Sequence, residues 1–102
     1  GDFSLDQVVV DNHGALGLID WDRAGRGNPA ADLASAIAAG LDESAASALL
    51  TGYSQVRAVP PDLSWQLASA RLRRLAEPFR LASPTWPAEL EHRVQVLEST
   101  MP

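Results

Sequence analysis

Asp2, Asp20 and Asp22 stand out by position. Asp2 precedes a β-branched run, and the other two close the apolar segment that follows it. If the two segments pair as a hairpin, their outer ends meet, and Asp2, Gln7, Asp20 and Asp22 converge at one edge. Clustered carboxylates repel one another, and burying an unpaired charge is costly. A hard cation between them relieves both penalties. Mg2+ takes a few carboxylate oxygens and completes its shell with water and substrate phosphate. The chemistry expected at that edge is therefore a magnesium site open to a phosphorylated ligand. Each residue also has a plainer reading. Asp2 can be a local cap, and Gln7 a polar residue that merely opens a strand. Asp22 can support a metal ligand from behind or pair with Arg23 or Arg26.

The elements that position these residues follow from local patterns. Val8-Val9-Val10 has high strand propensity, and Asp11-Asn12-His13-Gly14 is a turn in which Gly takes positive φ. Residues 8–10 are expected to pair with 16–20. A lone hairpin is marginal, so it must pack on something else. Asn28 and Pro29 read as the cap and first turn of a helix over 29–39, closed by Gly40. Asp42 caps a second helix reaching about Arg57, with Leu49, Leu50, Tyr53 and Val56 as its inner stripe. Asp62 caps a third, with Leu63, Leu67, Ala70, Leu75 and Phe79 on one face. Pro78 must kink or break that helix. A fourth covers 88–99, with Leu90, Val94 and Leu97 inward. The fold expected is α+β and mostly α: an N-terminal hairpin, then about four helices around an alanine-rich core.

Composition narrows the function. The chain has 102 residues, 46% of them hydrophobic, which is too apolar for intrinsic disorder at a net charge of −5. There is no cysteine, so disulfide scaffolds and thiolate metal sites are excluded. All eight basic residues are arginine. The acidic balance argues against nucleic-acid binding, and no apolar run approaches a membrane span. Residues 1–50 hold eight acids and two arginines, and residues 51–102 hold five acids and six arginines. His13 belongs to an exposed turn. Arg71, Arg73, Arg74 and Arg80 read as a solvated helix face rather than a phosphate site, and Trp65 and Trp86 as packing residues. The Ala- and Arg-rich, lysine-free composition is associated with GC-rich bacterial genomes and so with a cytoplasmic protein.

Three segments carry a resemblance: Gly1-Asp2-Phe3-Ser4-Leu5-Asp6-Gln7, then Leu18-Ile19-Asp20-Trp21-Asp22, then Gly27-Asn28-Pro29-Ala30-Ala31-Asp32-Leu33-Ala34. In spacing and residue type they resemble the aminoglycoside phosphotransferase family, which shares the protein-kinase-like fold and includes relatives that phosphorylate choline and sugars. The resemblance implies an ATP- and Mg2+-dependent transfer of the γ-phosphate to a small-molecule hydroxyl. Asp2 would be the catalytic-loop Asp that accepts the hydroxyl proton. Asp20 would hold the metal, and Gln7 stands where the family has a metal-binding Asn. Asp22 would lie behind the metal, and Asp32 would be a structural post tying the loop to helix one. Residues 1–28 would be the catalytic loop and metal-binding hairpin, and residues 29–102 the helical subdomain of a carboxyl-terminal lobe.

Nothing in the chain resembles the family's nucleotide-binding lobe. There is no lysine to hold phosphates, and Gly25-Arg26-Gly27 lacks the context of a phosphate loop. The chain also opens on Gly1 with no polar lead-in. A piece of a longer phosphotransferase is expected, inactive alone and without ordinary ATP affinity. Apolar surface left by the missing lobe would favour a homodimer. The alternative is a non-catalytic remnant that serves as a helical binding or regulatory module, with Gln7 as its mark.

Overall fold

A computed structural model describes residues 3–19 and 25–102. The architecture is α+β and mostly helical. A short 3-10 turn, Leu5–Gln7, leads into a two-stranded antiparallel hairpin, followed by four longer helices and one single-turn helix. Strands β1 (Val8–Val10) and β2 (Leu16–Leu18) pair Val8 with Leu18, Val9 with Gly17 and Val10 with Leu16. The helices are α1 (Pro29–Ala38), α2 (Glu43–Ser54), α3 (Leu63–Arg73), α4 (Glu77–Arg80) and α5 (Trp86–Thr100). Among the described residues, no helix is long and apolar enough to cross a membrane.

The hairpin turn is built by Asp11. Its Oδ1 accepts from the amides of His13 (2.8 Å) and Ala15 (2.9 Å), and Gly14 takes φ +81°. Short polar side chains that bond to the backbone ahead of them fix turns in this way. The first helix begins as the sequence implies. Asn28 Oδ1 accepts from the Ala30 amide, Pro29 sits in the first turn, and Gly40 follows the last turn at φ +120°. Asp42 caps α2 by accepting from the Ala45 amide at 2.7 Å. Its backbone is extended, at φ −71° and ψ 171°, as that role requires.

The core lies between α1 and α3. Ala30, Leu33, Ala34, Ala36 and Ile37 are buried on the first helix, and Ala68 and Ala70 on the third. Among the described residues, no large side chain is fully enclosed. Small residues let two helix backbones approach closely, so much of this interface is alanine. Burying Leu33 and Ile37 contributes roughly 1.5–3 kcal/mol each.

The structure corrects several expectations. Helix α2 stops at Ser54, whose hydroxyl donates to the Thr51 carbonyl at 2.8 Å. Val56 therefore falls in the turn beyond and is 91% exposed rather than inward. Leu49, Leu50 and Tyr53 are only half-buried. Trp65 is exposed on α3, not packed. The stripe drawn from Leu63 to Phe79 does not exist as one face, because the helix ends at Arg73. Phe79, on α4, is exposed and meets Trp86 edge-to-face at 5.1 Å.

Pro78 is the cause of that break. It has no N–H to give the carbonyl four residues back, and its ring would clash with that turn. The chain instead starts a new helical turn at Glu77, with Pro78 in its first turn, where proline is tolerated. The carbonyl that Pro78 cannot serve is that of Arg74, and Arg93 of α5 donates to it through Nη1 at 2.7 Å. Glu77 completes the junction. It accepts from Arg74 Nη1 at 3.0 Å and from Arg93 Nη2 at 3.5 Å, joining α3, α4 and α5.

Candidate functional site

Three of the residues assigned from sequence, Asp2, Asp20 and Asp22, lie outside the described residues. Gln7 and Asp32 lie within them. Gln7 ends the 3-10 turn and is half-buried immediately before β1. The turn is closed by the Gln7 amide, which donates to the Ser4 carbonyl at 3.1 Å. Ser4 also donates its hydroxyl to the Asp6 carboxylate. This short element delivers the chain from the Asp2 segment into the first strand.

The open end of the hairpin is fastened by one backbone bond beyond the sheet. Ile19 N–H donates to the Gln7 carbonyl at 2.8 Å. Ile19 is the last described residue before Asp20. The loop segment that contains Gln7 and the segment that leads into Asp20 thus run side by side.

Asp32 stands exposed in the first turn of α1. A carboxylate there complements the positive end of the helix dipole. The loop just ahead of α1 is anchored by Asn28, which uses both atoms of its amide. Oδ1 accepts from Ala30, and Nδ2 donates to Asp62 Oδ2 at 2.5 Å, joining positions 34 residues apart. Asp62 was expected to cap α3 and does not: its carboxylate makes no capping bond to its own helix. Sequence reasoning missed this pairing. Its only signal is a polar residue after Pro60-Pro61, which reads equally well as a cap.

Three of the four arginines grouped in the sequence are engaged with their neighbours, and Arg80 is exposed. Arg71 donates to Thr100 Oγ1 and Arg73 to Ser69 Oγ, both at 2.8 Å, while Arg74 binds Glu77. His13 is exposed in the hairpin turn. The acids likewise serve local tasks: Asp11 the turn, Asp42 a cap, Asp62 a tie to Asn28. Among the described residues, no three of His, Cys, Asp or Glu gather as a metal-binding group.

Gln7 offers an amide oxygen, and Asp2, Asp20 and Asp22 would add carboxylates. These are hard oxygen donors, the kind that Mg2+ takes. A family model described as the phosphotransferase enzyme family matches residues 1–65, a span that includes the hairpin, α1, α2 and the start of α3. No curated protein and no solved structure matches the chain.

Proposed function

Because the chain belongs to the phosphotransferase enzyme family, we propose that it forms the hairpin-and-helix part of an ATP-dependent enzyme that phosphorylates a small-molecule hydroxyl, such as that of an aminoglycoside, choline or a sugar. Asp2 orients the acceptor hydroxyl and takes its proton as the new O–P bond forms. The bond from the γ-phosphorus to the bridging oxygen breaks, and ADP leaves. Asp20 and Gln7 would hold Mg2+, supported by Asp22, and Asp32 would steady the loop before α1. Bound Mg2+ would neutralise charge on the phosphates. Such transfer needs little covalent chemistry from the protein beyond orientation and charge. The chain has no lysine to hold phosphates. In this reading that task falls to a nucleotide-binding lobe outside these residues, and the 102-residue chain alone transfers no phosphate.

The observation that carries the proposal is the bond from Ile19 N–H to the Gln7 carbonyl. It sets two of the three motif segments beside each other, as a site shared between them requires. Gln7 itself favours a second reading. It is one methylene longer than the family's Asn, and a shifted metal ligand is what a non-catalytic binding module would tolerate.

One assay separates the two: phosphate transfer from ATP to a panel of hydroxylated small molecules by the full-length gene product. Asp2→Asn is nearly isosteric and removes the proton acceptor. Turnover should fall by roughly 10²–10⁴-fold, the usual worth of a general base, with the melting temperature little changed. Equal turnover with Asn at that position refutes the role of Asp2. No transfer to any acceptor by the unaltered protein favours the binding module.

A further inference from the structure

Most apolar side chains of the hairpin stand exposed. Val10 is 63% exposed and Leu16 73%, and Val9, Leu18 and Ile19 are each about half exposed. Val8, Val10, Leu16 and Leu18 share one face, because Val8 lies opposite Leu18 and Val10 opposite Leu16. Val9 takes the other face and leans over Gly17, where a Cβ would meet its Cγ2 at 3.2 Å.

The backbone of β1 is open along its outer edge. Ile19 N–H donates to Gln7 and Asp11 N–H to Ala15, so the hydrogen-bonded pairs of the hairpin fall at the odd positions. The N–H and C=O groups of Val8 and Val10 therefore point away from β2. The Val8 N–H turns back to the Leu5 carbonyl. The Val8 C=O and both backbone groups of Val10 have no partner among the described residues. On the outer edge of β2, by contrast, Leu18 is already engaged. Edge strands are commonly guarded by lysine, proline or a charge. Residues 7–10 carry none of these.

We propose that β1 pairs antiparallel with β1 of a second copy of this chain, about a two-fold axis at Val9. The axis sets Val10 opposite Val8 of the second copy. The Val10 N–H then donates to that Val8 carbonyl, and symmetry repeats the bond. Val9 stands opposite its own image. Gln7 falls opposite Asp11 of the second copy, so no like charges oppose each other there. The open edge is short, closed at one end by the bond to Leu5 and at the other by Asp11, whose amide and carboxylate are both committed to the hairpin. Such an edge suits its own copy better than a longer strand, most of whose backbone groups would go unbonded. A lone two-stranded hairpin is marginal, and the pairing makes one four-stranded sheet from two of them. A three-residue edge is only about 10 Å long and covers far less than the roughly 800 Å2 per partner of a standard interface. The dimer is therefore weak, with a dissociation constant on the order of 0.1 mM. This pairing is independent of phosphate transfer.

The test is sedimentation equilibrium of the 102-residue chain from about 5 μM to about 1 mM, where the dimer should rise from roughly a tenth of the chains to roughly four-fifths. Val9→Lys and Val9→Glu each set like charges face to face across the axis, and each variant alone should stay monomeric. An equimolar mixture of the two sets Lys against Glu and should associate again. Amide exchange followed by NMR reads the edge in the unaltered chain, without relying on the variants. The Val10 amide should exchange about fivefold more slowly at the high concentration, as four-fifths pairing requires, while the outward amide of Leu16 on β2 is unchanged. A monomer at every concentration overturns the proposal. So does association of either variant alone, a mixture that fails to associate while both variants keep the helical spectrum, or protection of Leu16 in place of Val10.

Discussion

Enlarging Ala34 tests the α1–α3 core directly. Ala34 is fully buried, as is Ala30 one turn earlier, and Ala68 and Ala70 are buried on α3. Ala34→Leu adds three carbons where no space is provided. Forcing extra methylenes into a packed core typically costs about 1–3 kcal/mol. Leucine is nearly as good a helix former as alanine, within about 0.2 kcal/mol, so the helix itself is not at issue. In a domain of this size each kcal/mol moves the midpoint by about 4–8 °C. Thermal unfolding followed by circular dichroism at the helical minimum should therefore show a fall of about 4–24 °C. Ala48→Leu is the control, because Ala48 is exposed on α2. It should melt within about 2 °C of the unaltered chain. If Ala34→Leu melts with the control, α1 is not held by close approach to α3, and the account of the core is wrong.

Further expectations concern single groups. Asp42→Ala removes the bond to the Ala45 amide and should cost about 1 kcal/mol, read as a lower melting temperature with the helix content of α2 most affected. Ala82 holds φ +54° just after α4, where glycine usually sits. Ala82→Gly should raise stability by about 0.5–1 kcal/mol in urea unfolding, the left-handed cost relieved less the entropy of glycine. Asp20→Asn in the full-length protein should weaken Mg2+-dependent nucleotide binding by calorimetry while leaving the melting temperature nearly unchanged, since it removes a metal-ligand charge.

Features of the fold that depend on neighbouring residues were legible in the chain. The Asp11–Gly14 turn, the Asn28-Pro29 start of α1, its stop at Gly40, the Asp42 cap and the break before Pro78 are each set by side chains within a few residues. The motif spacing around Asp2, Gln7, Asp20 and Asp22 was legible for the same reason: it is a property of sequence order. Tertiary structure decided which surfaces meet. Leu49, Val56, Trp65 and Phe79 are as apolar as the residues of the core, yet it is the α1 and α3 faces lined with alanine that come close enough to bury what lies between them. Asp62 and Asp42 follow similar local signals, but one caps and the other crosses to Asn28, because the amide of Asn28 is within reach only once α1 and α3 have packed. The Arg74 carbonyl, which Pro78 cannot serve, accepts locally from the Glu77 amide at 3.2 Å and finds Arg93 only through the docking of α5. Local chemistry sets where elements begin and end, and it leaves the polar groups they strand to find partners across the fold.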